Sequence, residues 1–207
     1  MMIRVILTTL AAFVYCQLYS QESSPSYKIV GYLKGMPDQE LYLDYYDQGV
    51  KYRYPTFSKD GNFQFIGTVS EPVFANIHQK NGNGEIELFL DNALWKVTGN
   101  YQDYDGAAVS GSVIDAQWKQ YFKEDQQLVK SASLKGDPAV VQRRKELLKK
   151  YVKDLHSSYA GALIPNFCTI EESLTPADWI EIYDLLSEEM KDTYFGKKIS
   201  AKIGNHK

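Results

Sequence analysis

Lys59-Asp60-Gly61-Asn62-Phe63-Gln64-Phe65-Ile66-Gly67 is the stretch whose reading decides the fold. Asp-Gly adopts the positive φ values of a tight turn with little strain, so residues 59–62 carry a strong hairpin signal. From Asn62 to Ile66 polar and apolar residues alternate, which turns Phe63 and Phe65 to one inward face of a strand. Toward the C-terminus, Val73 to Gln79, Ile86 to Leu90 and Leu94 to Thr98 are further short apolar runs. They are separated by Gly67 to Pro72, by Asn81-Gly82-Asn83-Gly84 and by Asp91-Asn92. Toward the N-terminus, Tyr27 to Leu33, Glu40 to Tyr45 and Tyr52 to Phe57 add three more, with turns at Gly35 to Gln39 and Asp47-Gln48-Gly49. Leu41 and Leu43 share one face of their strand and Tyr42 takes the other. Pro55 cannot donate to a ladder, so its strand belongs at an edge or a bulge. Ala107 to Val109 reads as a last short strand. The regular turns predict a meander of antiparallel strands that closes as a β-sandwich or an open barrel.

The composition changes at Ser110-Gly111-Ser112. Ser112 is a suitable N-cap, and Ile114, Trp118, Tyr121, Phe122, Leu128 and Val129 follow at helical spacing. Lys135-Gly136-Asp137-Pro138 ends this helix and starts another, with Asp137 as cap and Pro138 in the first position. Val140, Val141, Leu147, Leu148, Tyr151, Val152 and Leu155 form its apolar stripe, and the opposite face carries most of Arg143, Lys145, Glu146, Lys149 and Lys153. Ser157 to Ile164 reads as a short helix stopped by Pro165. Thr175-Pro176-Ala177-Asp178 opens a further helix near a capping-box pattern. Tyr194-Phe195-Gly196-Lys197-Lys198-Ile199 begins a tail that runs out at Lys207. The expected fold class is α+β: an antiparallel β domain over residues 27–111, then a helical extension over residues 112–207.

Residues 1–20 read as a signal peptide. Arg4 gives a short positive region, and Val5 to Val14 is an apolar run of ten residues broken only by two threonines. Such a run is too short to span a bilayer and suits a signal core. Ser20 is a small residue at the cleavage position, which places the mature start at Gln21. Cys16 offers lipid anchoring as the alternative, although Tyr15 and Phe13 fit that signal poorly. An exported, periplasmic location is the expectation. Cleavage at this point leaves Cys168 as the sole cysteine, so no internal disulfide is expected. Its apolar neighbours, Ile164 to Phe167, predict a buried and unreactive thiol.

The chain has 207 residues, 44% hydrophobic and 24% charged, a balance that argues against wholesale disorder. Its formal net charge is −3. The densest basic run, Arg143-Arg144-Lys145 with Lys149-Lys150, is interrupted by Glu146 and leucines and reads as a solvated helix face, so no nucleic-acid partner is expected. Sixteen tyrosines favour half-buried pleated surface. A stacking surface for sugars or peptides is the functional reading of the same residues.

The order of pieces resembles a known layout. Ile29-Val30-Gly31, Leu41-Tyr42-Leu43, Lys59 to Gly67, Pro72-Val73, Glu87 to Asn92 and Val109 to Ser112 together look like the N-terminal β domain of unknown function DUF4369. That domain precedes thioredoxin-like domains in exported thiol-disulfide oxidoreductases of Gram-negative bacteria. Ser157-Ser158-Tyr159-Ala160 and Tyr194-Phe195-Gly196-Lys197 are similar to the family's connector. The resemblance implies an accessory β domain followed by a thioredoxin fold with a Cys-x-x-Cys site. Here the chain stops at Lys207 and has no Cys-x-x-Cys, so no catalytic residue carries over.

No substitute site emerges from the residues. His78, His156 and His206 show no ligand spacing. Glu85 and Glu87 share a strand face, with Asp44 and Asp91 as possible neighbours for acid–base chemistry, but solvated strand faces carry such pairs routinely. Asp103-Tyr104-Asp105-Gly106 hints at a calcium loop without the later ligands. Phosphate-loop, dinucleotide and nucleophile-elbow patterns are missing. No catalytic, cofactor-binding or metal residue is therefore assigned. The expected function is a non-catalytic exported module that binds an unknown protein or envelope ligand. The alternative is a truncated thiol-disulfide oxidoreductase whose catalytic domain lies elsewhere, and the third is an enzyme with an unseen carboxylate site.

Overall fold

The computed structural model describes residues 26–80, 82, 84–131 and 137–204. The expected signal peptide with Cys16, and also Asn81, Asn83, Lys135, Gly136 and His206, lie outside the described residues.

Strands β1 (Tyr27–Lys34), β4 (Asn62–Gly67), β7 (Leu94–Asn100) and β8 (Ala108–Ser110) form one sheet in the order β4-β1-β7-β8. Strands β2 (Glu40–Asp47), β3 (Val50–Phe57), β5 (Val73–Gln79) and β6 (Glu85–Leu90) form a second in the order β3-β2-β5-β6. Alternation sorts the side chains as expected. Ile29 and Leu33 from β1, Leu41 and Leu43 from β2, Phe63 and Phe65 from β4, and Trp95 and Val97 from β7 are buried in one core. This is a β-sandwich. Pro55 lies in β3, at the edge of the second sheet, where its missing N–H breaks no ladder.

The meander is corrected. β1 pairs with β4 in antiparallel but with β7 in parallel, from Lys28↔Leu94 to Lys34↔Asn100. Parallel neighbours cannot be joined by a tight turn, and the intervening chain builds β4 of the same sheet and all four strands of the other. The hairpin at Asp60-Gly61 is corrected with it. The turn forms, with φ of 48° at Asp60 and 81° at Gly61, and Lys59 and Asn62 exchange backbone bonds of 2.8 and 2.9 Å. Its flanking strands then diverge into different sheets. Ser58, fully buried, bends the chain there: its Oγ donates to Pro37 O at 2.9 Å and accepts from Gln39 N at 3.0 Å. Gly61 is required twice over, since a Cβ there would also lie 2.5 Å from Leu33 O. A tight in-sheet hairpin is instead β2–β3, turned by Gln48 and Gly49 at φ 49° and 82°.

The helices are α1 (Val113–Lys130), α2 (Pro138–Asp154), α3 (Tyr159–Leu163), α4 (Pro176–Leu185), α5 (Glu188–Asp192) and α6 (Tyr194–Gly204). The caps are those the sequence specifies. Ser112 Oγ accepts from Asp115 N at 3.2 Å, Asp137 Oδ1 accepts from Ala139 N at 2.9 Å, and Thr175 with Asp178 forms a full capping box. Pro165 tightens the chain after α3 into a 3₁₀ turn, Ile164–Asn166. The tail at Tyr194 is corrected: residues 194–204 are helix α6. Phe195, Ile199 and Ile203 recur one turn apart, and burying that stripe in the helical core fixes the segment.

The basic run is a solvated face only at Arg143 and Lys150, which are exposed; its other members are paired across helices. Arg144 makes a bidentate pair with Asp125 of α1, Nε–Oδ1 2.6 Å and Nη2–Oδ2 2.7 Å, with side chains 13% and 1% exposed. Lys145 and Lys149 both hold Asp178 of α4 at 2.8 Å. The partners sit on other helices, which is why α2 alone looked amphipathic with a free charged side. Burial opposes charge on Asp178, yet the bonds from Lys145, Lys149 and Thr175 hold its carboxyl well below the ordinary range. A depressed carboxyl stabilises the fold above its unfolded value near 4 and loses that contribution as pH falls through the folded value.

Removing Arg144 leaves Asp125 buried without its cation. Arg144→Met should cost about 3–5 kcal/mol in urea denaturation at neutral pH. Asp178→Asn should lower the urea midpoint at pH about 7, and the gap to the parent protein should begin to narrow below about pH 4 and shrink steadily as pH falls further. A gap that stays constant with pH would remove Asp178 from the account of acid stability.

Candidate functional site

Register arranges the outer face of the second sheet in rows. Pro55, Tyr42, His78 and Glu85 form one row, and Arg53, Asp44, Asn76 and Glu87 the next. Beyond them, Lys51 faces Tyr46 and Phe74 faces Phe89. The helices cover only the Phe74–Phe89 end. The Phe89 ring centroid lies 4.8 Å from Trp118 of α1 and 4.8 Å from Phe167, and Phe74 lies 5.6 Å from Phe167. Edge strand β6 is sealed as well: Phe89 N–H donates to Asp115 Oδ1 at 3.0 Å, and Glu85 N–H donates to Asp105 Oδ1 at 2.8 Å.

The uncovered end of the face is polar and aromatic. Asp44 is its centre. Arg53 donates to it from Nε at 2.8 Å and from Nη2 at 2.5 Å, and His78 Nε2 lies 3.3 Å from Oδ2. The Tyr42 ring stacks on His78 at 5.6 Å, with the Arg53 guanidinium 5.2 Å from its centroid. The Arg53 hydrogen bonds hold the Asp44 carboxyl below the ordinary carboxylate range against the opposing effect of its partial burial. A carboxylate so engaged is a poor proton acceptor, and the arrangement suits recognition better than acid–base work. Asn76, in the same row, adds a buried side-chain oxygen that has no hydrogen-bond partner among the described residues.

Where this face meets the helices there is a cavity of about 210 Å³. Phe74, Phe167 and Phe195 wall it, and Tyr46, Tyr194 and Lys198 stand among its lining residues.

The other candidates scatter. Glu87 lies in the Asp44 row but two strands away, roughly 10 Å, too far for a shared proton. Asp91 is drawn away to Ser112, whose Oγ donates to it at 2.8 Å, and burial raises its carboxyl. Asp105 caps the β6 edge by accepting from Glu85 N, and Asp103 packs close against Gly106. Among the described residues no three His, Cys, Asp or Glu side chains converge as metal ligands. His156 Nδ1 contacts only the Lys153 carbonyl at 3.2 Å among the described residues. Cys168 is buried, its Sγ donates to Pro165 O at 3.2 Å, and burial pushes its thiol up to about 11. Among the described residues no helix is long and apolar enough to cross a membrane. Arg53 and Asn76 escaped the sequence reading. Alternation places them on a face, but the partner across the sheet appears only once register is known.

Residues 27–118 match the family model of a domain of unknown function (DUF4369). The match spans the eight strands and runs into α1 as far as Trp118; the later helices, on which the resemblance also drew, lie outside it. No curated protein and no solved structure matches the chain.

In a carboxyl ¹³C titration, Asp44 should titrate below the ordinary range near 4. Arg53→Ala should move its midpoint upward, because the largest source of the shift is removed. An unmoved midpoint would show that Arg53 does not govern this carboxylate.

Proposed function

We propose that the chain is an exported, non-catalytic binding module that holds a partner in the groove between the second sheet and the helices. One observation carries this reading. The helices cover the Phe74–Phe89 end of the face and leave the Tyr42–Asp44–Arg53–His78 set open beside an aromatic cavity. The Arg53–Asp44 ion pair, an aromatic ring and an apolar hole on rigid strands form a preorganised surface, and ordering it on binding costs little. The buried Cys168, with its thiol at about 11, holds little thiolate at neutral pH, which supports a redox-silent role.

Export rests on Arg4 and the apolar run from Val5 to Val14, with the mature chain starting at Gln21 and lipid anchoring at Cys16 as the alternative. The family resemblance supports, as part of this proposal, a module that works beside a thioredoxin-like catalytic domain. The alternative reading is a thiol-disulfide oxidoreductase lacking that domain.

A photo-crosslinking amino acid placed at Tyr42 tests the groove in the cells that make the protein. The control position is Val30, exposed on the outer face of the first sheet. Adducts from Tyr42 and not from Val30 are expected, and equal yields or none would overturn the groove. The purified chain should not reduce insulin, and reduction that survives Cys168→Ser would overturn the redox-silent role.

A further inference from the structure

We propose that the outer face of the first sheet docks on an anionic phospholipid bilayer. The proposal is independent of the groove, which lies on the outer face of the other sheet and is left facing away from the lipid. The helices pack on the second sheet, where α1 meets β6, and leave this face open. Alternation turns every second residue of β1, β4 and β7 outward. Register sets Ile66, Lys28 and Leu94 side by side across those strands, with Val30 and Lys96 in the next row. Leu94 is 68% exposed, Ile66 59% and Val30 44%. Three branched aliphatic side chains therefore stand in solvent around one lysine. Single apolar residues are ordinary on a surface, whereas neighbouring ones set among polar groups mark a contact.

Charge and shape select the occupant. The outward residues of β1, β4, β7 and β8 include Lys28, Lys34 and Lys96 and no Asp or Glu. Among the described residues none of these lysines belongs to an ion pair. Carboxylates do stand in the turns at the ends of the sheet. Asp91, at the Leu94 end, is half-buried and accepts from Ser112 Oγ at 2.8 Å, and Asp60 and Asp103 stand at the far end, beyond Tyr32 and Asn100. The charge on the face itself is positive throughout, although the chain as a whole carries a formal −3. A second copy would set these lysines against their own kind across a two-fold axis. The face is also a pleated surface without a hole: none of the principal cavities is lined by Lys28, Val30, Ile66, Leu94 or Lys96. A protein partner draws most of its affinity from anchors seated in pockets, whereas a bilayer conforms to a flat surface. Lysine stems lie along aliphatic neighbours while their ammonium groups reach lipid phosphates, and the aliphatic tips enter the headgroup boundary. Tyr27 opens β1 at the Leu94 end, so anchoring at Cys16, the alternative to cleavage, would bring the same end of the sheet to the lipid.

Sedimentation of the purified, unlipidated protein from Gln21 onward with vesicles provides the test. Vesicles of phosphatidylcholine and phosphatidylglycerol in about equal parts should bind it more tightly than phosphatidylcholine alone, and added salt should weaken that binding. Lys28→Glu with Lys96→Glu should weaken binding to the mixed vesicles at least about tenfold, since each lysine near an anionic surface is worth roughly a fivefold change. Lys123→Glu with Lys153→Glu, exposed on α1 and α2, makes the same change in net charge and should bind like the parent protein. Ile66→Ser with Leu94→Ser should also weaken binding. Urea midpoints equal to that of the parent protein verify that each variant is folded. No preference for phosphatidylglycerol, equal loss in the two lysine pairs, or full binding by either face variant would overturn the proposal. So would tighter binding to polyglutamate than to the mixed vesicles, abolished by Lys28→Glu with Lys96→Glu, since that gives the face to an acidic protein. A dimer in sedimentation velocity that the same variant dissociates would give it to a second copy and overturn the proposal too. A protein crosslinked from Val30, which lies on this face, would do the same.

Discussion

Phe89 belongs to two cores at once, and the rest of the molecule depends on that. Its neighbours Leu88 and Leu90 lie in the sandwich, while its own ring lies in the helical core against Trp118 and Phe167. Its N–H is held by Asp115, so α1 is locked to the edge of the sheet by one directional bond as well as by packing. Burying a large aromatic side chain is worth several kcal/mol, whereas an exposed ion pair is worth at most about 1 kcal/mol. The aromatic contact therefore attaches the helices, and the hydrogen bond sets where they attach.

That placement creates the groove. A helical layer covering the whole outer face would have buried Tyr42, Asp44 and Arg53, and isolated charges there would have been costly. By stopping at the Phe74–Phe89 row, the helices leave the charged rows wet and trap an aromatic cavity at their boundary. The helices are in turn held to one another by polar contacts of a different kind. Asp125 with Arg144, and Asp178 with Lys145 and Lys149, tie α2 to α1 and to α4. Such pairs, being largely desolvated, gain little net stability but penalise any packing that separates them.

The readable parts of the sequence are those that act over a few residues. Ser112, Asp137 and Thr175 cap the helices they announce, Pro55 falls in an edge strand, and Phe63 and Phe65 turn inward. The Asp60-Gly61 turn also forms as read, yet the strands it joins part company, because buried Ser58 bends the chain between the sheets. The apolar stripe of Phe195, Ile199 and Ile203 has a helical period, but the run of lysines around it resembles a frayed end until its buried side is seen.

By itself, the sequence determined strands, turns, caps, the α+β order and a buried cysteine, because periodicity and turn chemistry act within one element. Only the tertiary structure decided the parallel β1–β7 pairing, the pairing of Asp44 with His78 and of Arg144 with Asp125, and the half-covered face. Those depend on which residues meet across strands and helices far apart in the chain, and no local propensity encodes that meeting.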